Sequence, residues 1–523
     1  MHRPDIEEFQ IDQIRAVSYL STMLYLVKVG FIIAVLTAAA TWFLQVNTIR
    51  QAKKVCRISA YATAGSLCIL CISQIWVAIF GVGAITAAYA RQRTYAAGIS
   101  IFLIISLPGI GFTLNIGGIQ LIDLSIIAAV IIGLFAASMT WKGRFLPTRY
   151  TNNYSVYVIV GILTFISARD TTITNTMRII LQNLIYYIVP YFALRNSLRD
   201  PESIRIMTIF VIAAGLAVSA VAIFESFMVW PMYQAYGQSF GSLIRAGVKM
   251  RGGILRAAGP SMNPPLSAAV LALCFVSAFA SASIFKTKTS HRIVLCVLAS
   301  GLFCMQARVG WLGAIAGSLG VLISKRGVKA FVIYVPIIIL TFGGGYGLAQ
   351  FNERFANLVG FSADAKGSSD YRNKADTRSI EIIKQHPFIG QPIPVVVNQM
   401  EDLRQGEGIV DFTNGYMAIA LFSGLIGLLF FISAILYQSY NSYTGKSLAL
   451  LKGAGSLSNL GFGVTISAGV MFPFIPTDYR VILVMIFLFT LSNAVITHSH
   501  INFGSTVRLR RSLIDESVRK IGA

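Results

Sequence analysis

The chain has 523 residues, 55% of them hydrophobic and only 12% charged, with a mean hydropathy of +0.69. Soluble globular proteins carry about 25% charged residues, and several apolar runs here exceed the roughly 18 residues that a bilayer-spanning helix needs. A soluble enzyme, a disulfide scaffold and a disordered chain are therefore excluded, and the continuous apolar runs exclude a porin-type barrel, whose strands alternate.

In chain order, the polar start, about residues 1–21, leads into an apolar span at 24–46 that is expected to stay as an anchor, with no cleavable signal pattern. Further spans are predicted near 58–89, 95–112, 119–139, 154–168, 176–194 and 204–228. Others follow near 265–285, 292–306, 309–324, 330–349, 412–437, 456–476 and 480–498. The expected fold is an all-α, polytopic integral membrane protein of about fourteen transmembrane helices. Residues 1–349 form the N-terminal helices with an outer basic loop near 229–262. Residues 350–411 form a large outer loop carrying short helices, and residues 412–523 the C-terminal helices and a basic tail. The 58–89 run is too long for one straight helix, and Pro108-Gly109 is expected to bend or end the third span.

The net charge of +22, from 43 Lys and Arg against 21 Asp and Glu, sits mostly in short loops, where membrane orientation explains much of it and no nucleic-acid motif accompanies it. With the N-terminus inside, Arg91 and Arg93, the 142–149 cations, Arg195 to Arg205, Lys286 to Arg292, Lys325 to Lys329, Lys446 and Lys452 and the tail all fall on the cytoplasmic side. One loop disagrees: Arg50, Lys53, Lys54 and Arg57 fall outside. Five of the six cysteines lie inside apolar spans. The Cys68-x-x-Cys71 pair has no second pair or nearby His to complete a zinc set, so these are read as helix-packing residues and no metal is expected.

The two long polar segments then fall on the outer face. The first holds Arg245, Lys249, Arg251 and Arg256 with no Asp or Glu, which makes either an anion site, phosphate being the obvious candidate, or an attraction for anionic lipid headgroups. Arg308 lies between two apolar spans, where a charge is read as functional or as a snorkelling turn residue. Gly310 beside it allows a close backbone approach or a tight turn. In the second segment Ser368-Ser369-Asp370 offers helix caps, and His386-Pro387 stops the helix that carries Arg372 and Arg378. Arg372 on this rigid element is either a functional cation or an i,i+4 partner for Asp376. Of the carboxylates Glu401, Asp402, Glu407 and Asp411, the last sits at the membrane edge, where an acceptor hydroxyl would approach.

Three segments resemble the O-antigen ligase/polymerase family of lipid-linked glycan enzymes: Arg256-Ala-Ala-Gly-Pro-Ser-Met-Asn263-Pro264, Ala307-Arg308-Val-Gly-Trp-Leu312, and Arg372 followed by a helix ending in His386-Pro-Phe-Ile-Gly390. Thr413-Asn414-Gly-Tyr416 and Gly424-Leu-Ile-Gly427 follow in the family's order. The resemblance covers about 250–476. It implies a multi-helix glycosyltransferase of the bacterial inner membrane, acting on the periplasmic face on an oligosaccharide linked to undecaprenyl pyrophosphate. Carried over by position, Arg308 and Arg372 hold the pyrophosphate, with Arg251, Arg256, Asn263, Arg378, Thr413 and Asn414 as the candidate substrate-binding side chains.

One departure matters. Thr413 stands where the family often has His, and a threonine hydroxyl is no comparable base near neutral pH. Asp411 becomes the candidate base, and stabilisation of the leaving pyrophosphate carries more of the catalysis. The expected activity is an inverting, metal- and cofactor-free polymerase of lipid-linked repeats, with membrane lipids, a chain-length regulator and a flippase as partners and no nucleic acid. The alternatives are a ligase using the same donor on lipid A-core or protein, and a polysaccharide or lipid transporter. A transporter usually shows paired halves, and no such repeat is visible.

Overall fold

The computed structural model describes residues 4–48, 52–72, 74–116, 119–141, 153–169, 172–198, 200–240, 250–251, 254–352, 356, 363–404, 410–412, 414–450, 457–476 and 478–496. The apolar runs fold as helices because a backbone in lipid must satisfy its own polar groups. Helix α1 (Pro4–Asn47) is followed by a helical hairpin, α2 (Ala52–Leu70) and α3 (Ile75–Ala88), so the over-long 58–89 run is two helices. Helix α4 (Arg93–Ser106) stops just before Pro108.

The predicted 119–139 span is corrected. Strand β1 (Gly111–Ile116) pairs antiparallel with β2 (Ile119–Ser125), and only then does α5 (Ile126–Met139) begin, with Ser125 Oγ accepting from the Ala128 N–H. Gln120 and Asp123 interrupt the apolar run, and cross-strand pairing satisfies this backbone where a lipid-facing helix would expose both polar groups.

Helix α6 (Tyr154–Ser167) leads to α7 (Ile173–Asn183), which passes through a π turn (Leu184–Ile188) into α8 (Val189–Ser197). Helix α9 (Pro201–Met228) opens with a capping box: Asp200 accepts from the Ser203 N–H at 2.7 Å, and Ser203 Oγ accepts from the Asp200 N–H at 3.2 Å. The segment expected as an outer polar loop near 229–262 is not simply a loop. Its first part is α10 (Met232–Ser239), with Met232, Tyr233 and Tyr236 buried, followed by the two-residue strands β3 (Met250–Arg251) and β4 (Ile254–Leu255).

The second half comprises α11 (Pro264–Ala280), α12 (Lys288–Cys304), α13 (Arg308–Arg326), α14 (Val328–Phe351), α15 (Ala363–Gln385) and α16 (Ile393–Gln399). It closes with α17 (Gly415–Leu450), α18 (Leu460–Met471) and α19 (Tyr479–Ile496). Five stretches, Ser21–Asn47, Ile173–Ser197, Pro201–Met228, Gly415–Gly445 and Tyr479–Ile496, are long and apolar enough to cross a membrane, and six shorter apolar helices accompany them among the described residues.

Contacts between helix ends sort the bundle into two faces. Lys54 donates to Gln92 Oε1 at 2.8 Å, Lys286 to the Val46 carbonyl at 2.7 Å, and Trp141 Nε1 to the Ala90 carbonyl at 2.8 Å. Lys54, Gln92, Trp141 and Lys286 thus share one cationic face. On the other, Trp230 Nε1 donates to Tyr25 Oη at 2.8 Å and the Gly109 N–H to the Pro260 carbonyl at 2.8 Å. Helix α1 therefore runs from the Trp230 face to the cationic face, the reverse of the orientation expected for it. The α2–α3 hairpin adds one traverse, and with it Lys53, Lys54 and Arg57 join the other loop cations rather than breaking the pattern.

Candidate anion-binding site

The β3–β4 hairpin lies against the turn between α12 and α13. The Ala257 N–H donates to the Cys304 carbonyl at 3.1 Å, Arg256 Nε to the Met305 carbonyl at 3.3 Å, and Arg251 Nη1 to the Gln306 carbonyl at 3.4 Å. Arg308 is the first residue of α13, at the helix end whose free N–H groups and dipole favour an anion. Helix α13 packs tightly on α11 at Gly310, where a Cβ would lie 2.7 Å from the Ala268 Cβ. Across from these, α15 presents Arg372. Together Arg251, Arg256, Arg308 and Arg372, with Pro265, Gln306, Ala307, Val309, Leu312 and Phe474, line a pocket of about 270 Å3.

Among the described residues, no carboxylate lines this pocket. Burial, then the neighbouring charges of Arg251, Arg372 and Arg308, pull Arg256 down to about 9. Burial and Arg372 lower Arg251 in the same sense. A cation whose folded value lies below its unfolded one destabilises the fold at neutral pH, because the unfolded chain binds the proton more tightly. The clustered guanidinium charges are thus under electrostatic tension that a multivalent anion would relieve. Inorganic pyrophosphate is expected to raise the melting temperature of the solubilised protein, by an amount equivalent to about 2.7 kcal/mol at 100 times its Kd. Arg256→Gln should melt no lower than the unliganded parent and lose most of that shift. A shift of unchanged size in Arg256→Gln would put the anion elsewhere.

Arg372 is held in place from both ends of its neighbourhood. At one end Tyr371 Oη and the Asp411 backbone exchange contacts, the Asp411 N–H donating at 3.0 Å. At the other, the turn Pro387–Gln391 docks into a kink of α17 at Gly424. The Leu425 N–H donates to the Pro387 carbonyl at 2.7 Å and the Gln391 N–H to the Leu421 carbonyl at 2.8 Å. Both facing glycines have positive φ, +70° at Gly390 and +71° at Gly424, and a Cβ on Gly424 would lie 2.1 Å from the Phe388 carbonyl oxygen. Only glycine fits there.

Arg169, just beyond α6, was not singled out from the sequence. Its guanidinium donates to the carbonyls of Ile389 at 2.6 Å, Phe422 at 2.9 Å and Gly390 at 3.0 Å, clamping turn and kink together. The signal for it was an arginine at the non-cationic end of a span, where orientation does not call for one.

The other candidates are more dispersed. Asp411 is exposed at the rim; surrounding protein raises its carboxyl above the usual range and Arg372 pulls it back. Asn263 precedes α11 without capping it, its Oδ1 buried and unpaired, whereas Asn414 Oδ1 accepts from the Met417 N–H at 3.2 Å and opens α17. Arg378 is not brought into the pocket: it pairs with Glu381 at 2.8 Å and reaches the Gln399 carbonyl. No ion pair joins Arg372 to Asp376 among the described residues. Residues 368–370 do not start a helix, since α15 begins at Ala363. Thr413 lies outside the described residues. Cys68 and Cys71 are free thiols; Cys71 contacts Tyr236 Oη at 3.7 Å.

Residues 293–432 match a family model described as O-Antigen ligase. The matched stretch contains Arg308, Arg372, Asp411 and Asn414, while Arg251, Arg256 and Asn263 lie N-terminal to it. No curated protein matches the chain.

Proposed function

From the O-antigen ligase/polymerase family signature that residues 293–432 carry, we propose that this membrane protein polymerises oligosaccharide repeats carried on undecaprenyl pyrophosphate, working at the non-cytoplasmic face of a bacterial inner membrane. The observation that supports this reading is the convergence of four arginines, from the β3–β4 hairpin, the start of α13 and the middle of α15, on one pocket with no carboxylate among its described lining residues. Guanidinium groups pair with phosphoryl oxygens bidentately. The pocket lies on the face opposite the loop cations, which the positive-inside bias assigns to the cytoplasm.

In this reaction an acceptor hydroxyl oxygen of one repeat bonds to the anomeric carbon of another. The bond from that carbon to the diphosphate oxygen breaks with inversion, and undecaprenyl pyrophosphate leaves with both electrons. The hydroxyl proton passes to the Asp411 carboxylate, and the arginines hold the charge that gathers on the leaving group. The raised value of Asp411 makes it a stronger base than an ordinary carboxylate. Activity should fall on the acid side as Asp411 becomes protonated, with that limb above the usual carboxylate range. In Asp411→Asn the acid limb should vanish along with about 10²- to 10⁴-fold of the rate. Undiminished polymer in that variant removes Asp411 as the base.

Purified protein given only lipid-linked repeat should yield a ladder of chain lengths. Absence of a ladder, with transfer appearing once lipid A-core is added, would assign a ligase instead.

A further inference from the structure

The turn between α12 and α13 holds a polar group with nothing to bind. Gln306 is only 2% exposed, and both its Nε2 and Oε1 are buried without a hydrogen-bond partner among the described residues, a state native proteins rarely tolerate away from functional sites. Its backbone adds a second observation. Gln306 follows the C-terminus of α12 with φ +47°, the left-handed position that glycine fills with least strain. A side chain kept there at the expense of both backbone and hydrogen bonding points to a ligand contact.

The chemistry of the pocket says which contact. Every other polar side chain among its described lining residues is an arginine, and a guanidinium only donates. The Met305 and Gln306 backbone carbonyls already accept from Arg256 and Arg251. Diphosphate oxygens only accept, so four arginines suffice for them. A sugar hydroxyl or acetamido N–H next to the diphosphate is a donor and finds one side-chain acceptor among the described lining residues, Gln306 Oε1.

The geometry points to Gln306 as the residue that reads the first sugar of the donor, its amide oxygen accepting from a hydroxyl or acetamido N–H on that ring while the arginines hold the diphosphate. This rests on the lipid-diphosphate reading of the pocket.

The test uses the full-length protein with two probes: the lipid-linked repeat extracted from the source cells, and undecaprenyl pyrophosphate without sugar as a competitor. Gln306→Leu keeps the bulk and removes the acceptor. It should raise KM for the repeat about tenfold, the scale of one neutral hydrogen bond, and leave inhibition by the sugar-free competitor within about twofold. Gln306→Asn, whose side chain tolerates the left-handed backbone and retains an amide, should fold and lie between Leu and the parent. Equal weakening of both probes in the two variants would make Gln306 a phosphate ligand or a packing residue, and an unchanged KM in Gln306→Leu would leave it no role; either overturns the inference. Arg308→Ala tells the two readings apart: if it leaves competitor inhibition untouched, the diphosphate reading fails whatever the Gln306 variants do.

Discussion

Arg308→Ala and Arg372→Ala are each expected to abolish long chains and leave single lipid-linked repeats accumulating, with protein level and membrane insertion intact. Both side chains line the pocket, and neither is packed in the bundle core: Arg308 is exposed and Arg372 half-buried. Arg372 Nε is buried without a hydrogen-bond partner, and no ion pair among the described residues claims that guanidinium. Removing one preorganised donor to a developing anion lowers kcat by about 10²- to 10³-fold. Lysine should rescue little, since an ammonium lacks the planar fork that matches two phosphoryl oxygens. Gel analysis of extracted glycolipids reads the result. Full-length polymer from both alanine variants would end the pyrophosphate assignment.

Gly424→Ala should be nearly as damaging, by a different route. The added methyl would overlap the Phe388 carbonyl, whose preferred separation is about 3.3 Å, and would force φ +71° on an L residue. The Pro387–Gln391 turn must then lift off α17, the Arg169 clamp loses the Ile389 and Gly390 carbonyls, and α15 no longer holds Arg372 over the pocket. A displacement of about 1 Å at a positioning element can cost roughly 100-fold in rate. The distinguishing measurement is inhibition by pyrophosphate: it should weaken in Gly424→Ala, whereas Arg169→Ala should show the same pattern in milder form. Wild-type activity and inhibition in Gly424→Ala would mean that α15 is positioned from its Tyr371 end alone.

How much was legible in the sequence depends on what each residue answers to. Apolar runs answer to the bilayer, so most spans fall near their predicted places. Arg251 and Arg256 stood out because cations in a loop without Asp or Glu, on a face that does not need them, call for an anion; Arg308 stood out as a charge between two apolar spans and Arg372 as a cation on a rigid helix. Their convergence could not be read, since it depends on a two-residue-strand hairpin laid over a helix–helix turn 50 residues away. The α2–α3 hairpin was missed because the break near residue 72 carries no proline or charge run, only Ser73-Gln74. The β1–β2 hairpin was hidden because Ile and Leu suit strand and helix alike. Arg169 clamps the turn through backbone carbonyls, which leave no sequence signature. Gln306 looks like any polar residue at a helix end until its backbone is seen.

The π turn at Leu184–Ile188 leaves α7 and α8 one residue out of step. It sets Tyr186 against Tyr479, ring centres 5.0 Å apart, and its hydroxyl 2.7 Å from Ser125 Oγ. Deleting one residue of that turn would restore regular α winding and remove the bulge that carries the tyrosine to these partners. Chain length is thus frozen at this depth, and insertions or deletions between homologous chains should gather in the loops flanking α7 and α8 and spare the turn itself.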